Sequence, residues 1–329
     1  MPSVDKVLIR SLCSLISTGT ELKVFCGDFD AGQAADLTID GLADSIMEYP
    51  LRYGYCMVGK LEKNENQQGI DPLDDKLLFV FSPHGTLSLV SRKDVMVVPD
   101  GINEEDAVFA PSVETAISLI QDAAPVIGEK VAVVGQGLIG VLTAAILSEM
   151  GLDVTVIDVS NDRLNISKTF CGNVKTWNPK VNLSCIDKPC DFDLCIELTG
   201  RLSGLQTAVD ITGYGGRVLI GSWFSTEEKF RLGTVFHRSH ITMKASQVSN
   251  IPSKLSARWT KQRRFQLTWD VLKKLKPSKL LIKGVSAERV RFNSKAFENL
   301  EELGSTLKEI YSKLEKGHFL TALFDYRDG

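Results

Sequence analysis

Three glycines with the spacing Gly-x-Gly-x-x-Gly, namely Gly135, Gly137 and Gly140, directly follow a β-branched run and open an apolar segment typical of a helix. The first glycine permits a tight turn, the second lets the backbone approach a pyrophosphate, and the third lets helix and strand pack closely. The amides of Leu138 and Ile139 would then lie at the helix N-terminus, where unpaired N–H groups attract an anion. This spacing predicts a dinucleotide-binding turn.

An acidic residue supports this prediction. Asp158 ends the next β-like run, 18 residues after Gly140, and from there it can accept hydrogen bonds from an adenosine ribose. Thr199 and Gly221 follow two further apolar runs and are predicted to line the same nucleotide site. A carboxylate at position 158 repels a ribose 2′-phosphate, which favours NAD(H). Arg163 can instead serve such a phosphate, so NADP(H) stays open, as does a glycine turn in an unrelated α/β protein.

Composition narrows the class of protein. The chain has 329 residues, 43% hydrophobic and 24% charged, with a net charge of −3. This length suffices for two domains with separate cores, and the charge gives no reason to expect a nucleic-acid partner. Apolar runs stay well short of the ~20 residues that a membrane helix needs. The seven cysteines are odd in number, show no repeated spacing and in several cases lie inside apolar runs, which predicts reduced thiols and a cytoplasmic location. They include no Cys-x-x-Cys pair, so we expect no structural zinc lobe. With no long apolar run, we expect no membrane partner.

The predicted secondary structure that positions these residues differs between the N-terminal part of the chain and the part that follows it. Residues 1–110 carry short β-like runs between glycine, proline and acidic residues, typical of a compact all-β unit. Strand and helix patterns then alternate, as in a parallel sheet covered on both faces. We therefore predict an α/β protein, with a doubly wound Rossmann domain over residues 113–249 and a second domain formed by 1–112 and 250–329.

This order of units resembles the medium-chain dehydrogenase/reductase superfamily. Pro50–Gly59 is similar to its Pro-x-x-x-Gly-His-Glu-x-x-Gly segment, Val108–Thr115 to the stretch entering the cofactor domain, and Lys295–Leu300 to a C-terminal Ala-Phe segment. The resemblance implies a GroES-like β-domain beside the Rossmann domain, and a homodimer. It places Thr115 at the nicotinamide. Relatives carry a β-hairpin before the segment matching Lys6–Leu12, and this hairpin is expected to be missing.

The positions of that superfamily's catalytic zinc ligands hold other residue types. By resemblance, Ser17 or Thr18 stands at the cysteine, Tyr55 and Cys56 stand at the histidine and glutamate, and Pro111 stands at the third ligand. Hydroxyl groups, a proline and one thiol do not form a Cys/His zinc site. The chain therefore resembles a zinc-free branch that includes bacteriochlorophyllide hydroxyethyl dehydrogenases. Three segments carry this finer resemblance: Ile16–Glu21, Ser82–His84 and Phe236–Arg238.

Without zinc, another group must handle the proton during hydride transfer. Tyr55 is one candidate, because its hydroxyl can donate to a developing alkoxide, although its ring can equally fill the space of the absent metal site. His84 suits general acid/base work near neutral pH, or serves as a structural histidine. By resemblance Glu21 stands in a proton-relay pair, and a structural salt bridge is its alternative role.

Two further charged features have structural interpretations. Glu114 is predicted to cap a helix start together with Ser112, with contact to the nicotinamide ribose as the alternative. The basic cluster from Arg258 to Arg264 is predicted to be a solvated helix start, with an acidic substrate as the alternative partner.

We therefore expect a zinc-independent oxidoreductase that moves a hydride between NAD(H) or NADP(H) and a secondary alcohol or ketone, its small-molecule substrate. One alternative is an NADPH-dependent quinone or enoyl reductase, in which hydride adds to a conjugated carbon. The other is a catalytically inactive dinucleotide-binding sensor or scaffold.

Overall fold

The computed structural model describes residues 5–35, 42, 45–63, 71–181, 190–224, 229–292 and 300–327. The chain divides into two compact units: unit 1 is Met1–Pro111 with Leu272–Gly329, and unit 2 is Ser112–Val271. The second boundary falls inside the helix Lys261–Leu275, whereas the sequence placed it after residue 249. Residues 250–271 belong to unit 2 because Arg264 of that helix bonds to Glu114.

Unit 1 is built on a seven-stranded sheet of order β12-β13-β1-β2-β3-β5, with β4 also paired to β1. Its strands are β1 (Lys6–Leu15), β2 (Met57–Leu61), β3 (Leu78–Val80), β4 (Leu87–Ser91), β5 (Met96–Val97), β12 (Ala287–Arg291) and β13 (Thr321–Asp325). The long strand β1 pairs antiparallel with three neighbours, β2, β4 and β13. Its residues alternate between exposed and buried, so Val7 and Ile9 enter a core with Met57, Leu78 and Val80.

Unit 1 also contains the helices α1 (Thr18–Cys26), α2 (Glu104–Ala107) and α9 (Leu300–Glu315). The first two lie in the N-terminal segment that was predicted to be all-β, so that prediction was wrong there. The opening of α1, Thr18-Gly19-Thr20, has poor helix propensity, and the helix instead depends on tertiary packing, such as the Phe25 ring stacked 4.5 Å from Tyr311 of α9. Residues 295–299 of the Ala-Phe segment lie outside the described part of the chain.

Unit 2 confirms the predicted doubly wound α/β fold. Its six strands are parallel in the order β11-β10-β9-β6-β7-β8. They are β6 (Lys130–Val134), β7 (Asp153–Ile157), β8 (Lys175–Trp177), β9 (Phe192–Glu197), β10 (Thr212–Ile220) and β11 (Thr242–Ala245). The helices are α3 (Ala110–Ala123), α4 (Leu138–Glu149), α5 (Asn161–Cys171), α6 (Leu202–Ile211), α7 (Val235–Arg238) and α8 (Lys261–Leu275).

The strand order of unit 2 reverses between β6 and β9. The chain runs from β6 outward through β7 to β8, and then returns to β9 and continues outward through β10 to β11. In open parallel sheets, ligands bind outside the carboxyl ends of the strands at such a switch point. Among the described residues, no helix has the length and apolar character needed to cross a membrane.

Candidate functional site

The glycine turn lies at this switch point, directly after β6. Gly135 has φ +100° and donates its N–H to the Ile157 carbonyl at 2.8 Å. A Cβ at this position would lie 2.8 Å from the Leu198 backbone and 2.9 Å from Thr199 Cγ2. Both the left-handed backbone and the close approach of the chain after β9 therefore require glycine here.

The other two glycines have opposite surroundings. A Cβ on Gly140 would collide with the Gly135 carbonyl oxygen, so helix α4 packs against the turn only without a side chain. Gly137 is extended at the N-cap of α4, and a Cβ there would meet no atom within 4 Å. The first amides of a helix lack intrahelical partners, and those of Leu138 and Ile139 begin α4. Open space beside such amides suits the pyrophosphate of a dinucleotide.

Asp158 lies directly after β7 and is 9% exposed. Its Oδ2 accepts from the Gln136 amide at 2.7 Å, and its Oδ1 accepts from the Ser160 amide at 2.8 Å. Each carboxylate oxygen has a second acceptor site, so the group can still accept a ribose hydroxyl. The same carboxylate thereby ties the glycine turn to the end of the next strand.

Sequence reasoning missed Gln136, whose side chain is fully buried beneath the turn. Its amide nitrogen donates to the Val133 carbonyl at 2.9 Å, and its amide oxygen accepts from Ser167 at 2.8 Å. These bonds connect the turn to α5. The residue between the first two glycines shows no sequence pattern that distinguishes an inward from an outward side chain.

The predicted nucleotide residues after β9 and β10 have packing roles. Thr199 donates both its amide, at 2.6 Å, and its hydroxyl, at 2.5 Å, to Oε1 of Glu197. Gly221 donates its amide to the Glu197 carbonyl, and a Cβ there would collide with Leu119 and lie 2.7 Å from Leu198. Glu197, which sequence reasoning also missed, is fully buried.

Unit 1 brings two of the three proposed proton-handling residues into contact. Glu21, in the first turn of α1 and 2% exposed, has its Oε2 2.8 Å from His84 Nε2. The same oxygen accepts from the Tyr311 hydroxyl at 3.1 Å, and Oε1 accepts from the Ser17 amide at 2.6 Å. Burial, with Glu21 next, raises the pKa of Tyr311, so this phenol stays a donor to the carboxylate.

The other ring nitrogen of His84 extends this network across the sheet. Nδ1 lies 2.7 Å from Ser14 Oγ, which lies 2.9 Å from the Tyr326 hydroxyl. Burial raises the pKa of Tyr326 to about 12. The ring of His84 also packs closely on Gly54, where a Cβ would come within 2.6 Å of it. His84 is therefore held on both nitrogens and on one face.

Tyr55, the third candidate, joins the network through Ser17. Its hydroxyl donates to Ser17 Oγ at 2.5 Å. Burial, followed by the nearby Cys56 and Glu21, raises the pKa of Tyr55, so the phenol carries its proton at neutral pH. The hydroxyls of Tyr55 and Ser17, one of the two residues that stand by resemblance at the zinc cysteine, are thus bonded to each other.

Helix α3 begins at Ala110, so Glu114 lies within the helix, and the prediction that it caps the helix start was wrong. In the basic cluster that was predicted to be solvated, Arg258, Lys261 and Arg263 are exposed, whereas Arg264 is fully buried. Its guanidinium donates to Glu114 at 3.0 Å, to Ser118 at 3.2 Å and to the Asn250 carbonyl at 3.0 Å.

Thr115 lies half-buried in the same helix α3 of unit 2. For metals, the described residues contain no group of three or more histidine, cysteine, aspartate or glutamate side chains placed to hold an ion.

This chain is similar in sequence and in structure to known dehydrogenases. A family model described as pyridine nucleotide-disulphide oxidoreductase matches residues 130–175. The chain is 24% identical over 192 residues to D-guloside 3-dehydrogenase of Escherichia coli, covering 56% of this chain and 55% of the relative. It is 32% identical over 133 residues to L-threonine 3-dehydrogenase of Proteus mirabilis, covering 37% of each.

These alignments leave much of each curated relative unmatched, since the chain spans 55% and 37% of their lengths. The likeness in structure is more extensive. Galactitol-1-phosphate dehydrogenase of Escherichia coli superimposes with a TM-score of 0.71 at 16% identity, covering 99% of this chain and 94% of that one. This chain therefore has the fold of medium-chain alcohol dehydrogenases, and its relatives are dehydrogenases.

Proposed function

We propose that this chain is an NAD(P)(H)-dependent oxidoreductase that moves a hydride between the nicotinamide ring and a secondary alcohol or ketone. The carrying observation is the glycine turn at the switch point, with open space at Gly137 and a ribose acceptor at Asp158. The matched family model and the dehydrogenase relatives support the same chemistry. Turnover of NADH or NADPH with a panel of ketones tests the proposal, with quinones and enoyl substrates included.

NAD(H) is the proposed nucleotide. A 2′-phosphate on a ribose bound at Asp158 would bring further negative charge to a buried carboxylate, and like charges repel. We expect NADH to bind at least about tenfold more tightly than NADPH in a fluorescence titration, a difference of about 1.4 kcal/mol. Asp158→Asn should reduce this preference, because it removes the charge and keeps the size. Tighter binding of NADPH to the unmodified chain would instead favour the quinone or enoyl reductase.

We also propose that the reaction proceeds without zinc. The positions that resemble zinc ligands hold Ser17 or Thr18, Tyr55, Cys56 and Pro111, a donor set that does not match the Cys/His sites of catalytic zinc. Ser17 and Tyr55 already use their hydroxyls on each other. Activity that survives dialysis against a chelator, with no zinc found by elemental analysis, is the expected result. Stoichiometric zinc that is lost together with activity would contradict it.

Tyr55 is the proposed proton donor. The bound nicotinamide supplies or accepts the hydride, so the chain must supply a proton to the carbonyl oxygen during reduction. An alkoxide is a stronger base than a phenolate, and the raised pKa of Tyr55 keeps its proton in place until an alkoxide develops. Ser17 Oγ, 2.5 Å away, can then donate a hydrogen bond that stabilises the phenolate, and the phenolate regains its proton from water.

The Tyr55→Phe variant separates this role from packing, because it removes only the hydroxyl. We expect kcat to fall by about 10²-fold or more, as for other lost acid catalysts, while the Kd for NADH stays unchanged. Tyr214→Phe, at a tyrosine 78% exposed in unit 2, is the matched control. An unchanged kcat in Tyr55→Phe would rule out Tyr55 as the donor and move the test to His84→Gln and Glu21→Gln.

Assembly and location belong to the same proposal. We propose a homodimer formed through β11, the edge strand of the unit 2 sheet, whose unpaired backbone groups can accept another strand. A cytoplasmic location is supported by free thiols at all of the described cysteines: Cys13, Cys26, Cys56, Cys171, Cys190 and Cys195. Sedimentation equilibrium at micromolar concentration should give twice the chain mass, whereas a monomer would contradict the proposed dimer.

A further inference from the structure

A buried carboxylate lies at the switch point, where the proposed function gives it no task. Glu197 ends β9 between Val134 of β6 and Ile220 of β10, and it is fully buried. Burying a carboxylate is expensive unless its partners compensate. Desolvation raises the pKa of Glu197, and hydrogen bonds from Thr199 oppose this effect. Its Oε2 is buried with no hydrogen-bond partner among the described residues.

The hydrogen-bonded oxygen of Glu197, Oε1, restrains Thr199. Oε1 accepts both the amide and the hydroxyl of Thr199, at 2.6 and 2.5 Å. Two bonds from one residue to one oxygen select a single rotamer of that residue. A glutamate is long enough to fold back in this way onto the residue two positions later in the chain.

The selected rotamer places the Thr199 methyl group against the glycine turn. Thr199 Cγ2 would lie 2.9 Å from a Cβ at Gly135, and a Cβ at Gly204 would collide with the Thr199 hydroxyl. Thr199 therefore fits between the dinucleotide turn and the first turn of α6, in space that two glycines leave open. Another rotamer would move the methyl group away from this position.

We infer that Glu197 is a positioning residue for the dinucleotide: it fixes the Thr199 rotamer, and Thr199 in turn supports Gly135 in the conformation that receives the pyrophosphate. This inference rests on the proposed binding of a dinucleotide. It gives Glu197 a role in nucleotide affinity, although its side chain is not exposed to a ligand. It also gives Thr199 a role in nucleotide binding, because Thr199 supports the turn on which the nucleotide would lie.

The test compares Glu197→Ala with Glu197→Gln, using titration of intrinsic fluorescence with NADH and with ADP-ribose. Glu197→Ala should weaken both ligands by about tenfold, equivalent to about 1.4 kcal/mol, because both carry the pyrophosphate. Glu197→Gln keeps an acceptor for Thr199 and should stay within about twofold of the unmodified chain. Adenosine, which lacks phosphate, should bind all three proteins equally.

A double-mutant cycle with Thr199→Ala distinguishes positioning from a general loss of stability. Because both residues act through one contact, Glu197→Ala with Thr199→Ala should weaken NADH no more than either change alone. Additive losses would overturn the inference. So would an unchanged Kd for ADP-ribose in folded Glu197→Ala, or equal weakening of adenosine. If Glu197→Ala fails to fold, Thr199→Ala alone must show the tenfold loss for ADP-ribose with adenosine unchanged, or the inference fails.

The outcomes also separate this inference from the proposed function. If the unmodified chain binds none of NADH, NADPH and ADP-ribose, both are wrong, because there is no dinucleotide to position. If it binds NADH and Glu197→Ala binds it equally well, only the role of Glu197 is wrong.

Discussion

The nucleotide turn of unit 2 and the polar network of unit 1 are built on different principles. The turn uses backbone groups from Gly135 to Gly140, which are adjacent in sequence, and its requirements are steric. The network uses side chains from distant parts of the chain, and its requirements are hydrogen bonds. The network joins β1, α1, α9 and the segments that follow β3 and β13, and its members meet only because these elements pack together. They are Ser14, Glu21, His84, Tyr311 and Tyr326.

This difference teaches where each region is sensitive to substitution. A tight backbone turn is destabilised when a side-chain atom is added, because the atoms that it would contact belong to the backbone and cannot shift easily. A side-chain network fails when an atom is removed, because the remaining polar groups stay buried without partners. Three substitutions can break or sharpen this contrast, and a fourth tests a buried thiol that belongs to neither region.

The largest effect is expected from adding a methyl group within the turn. In Gly140→Ala the new Cβ meets the Gly135 carbonyl oxygen, a backbone atom, so we expect a loss of about 3 kcal/mol in the free energy of unfolding. Gly137→Ala is the matched control, because its Cβ meets open space, and it should cost about 1 kcal/mol or less. Urea unfolding of both variants measures this difference. Equal losses would show that the turn is not sterically constrained.

The next effect comes from removing an acceptor from the network. Glu21→Ala leaves the Ser17 amide, the Tyr311 hydroxyl and one nitrogen of His84 without their acceptor. Unsatisfied buried groups cost about 1–3 kcal/mol, so we expect a total loss of about 2–3 kcal/mol. Glu48→Ala, on the surface of unit 1, should change stability by about 0.5 kcal/mol or less. A Glu21→Ala variant as stable as Glu48→Ala would mean that the network contributes nothing to folding.

A smaller effect is expected at the end of the network. Tyr326→Phe removes the hydroxyl 2.9 Å from Ser14 Oγ and should cost about 1 kcal/mol, as one hydrogen bond does. In a double-mutant cycle with Ser14→Ala, the two losses should be less than additive, because each change removes the same bond. Full additivity in chemical unfolding would show that the two hydroxyls do not interact.

The smallest effect concerns alkaline pH and a thiol in the core of unit 2. Burial raises the pKa of Cys195 from 9.0 to about 12, so the unfolded chain loses this proton first as pH rises. The stability from this group is complete below pH 9 and is lost as pH approaches 12. Cys195→Val should therefore show a shallower fall in unfolding free energy between pH 8 and pH 10.5. An identical slope in both proteins would mean that the thiol does not titrate in this window.

Much of the fold could be predicted because its evidence is local. The alternation of strands and helices indicated the doubly wound sheet, and the glycine spacing indicated where β6 ends and α4 begins. Asp158 was expected at the end of β7, and the structure places it there, bonded to the turn. In each case the residues concerned are neighbours in sequence or directly follow a strand. Their spacing along the chain is therefore enough to predict where they lie in the fold.

Tertiary structure alone decided which polar residues are buried and what they contact. Arg264 belongs to a cluster of basic residues of the kind usually exposed to solvent. It is nevertheless buried, and it bonds to Glu114 and to the Asn250 carbonyl after β11. In the sequence, Glu197 is not distinguishable from any other acidic residue at the end of a strand. Only the structure shows that it bonds to Thr199, which lies beside Gly135. The pairing of Glu21 with His84 joins residues 63 positions apart. Such contacts depend on how distant segments pack, and periodicity and spacing along the chain describe only near neighbours.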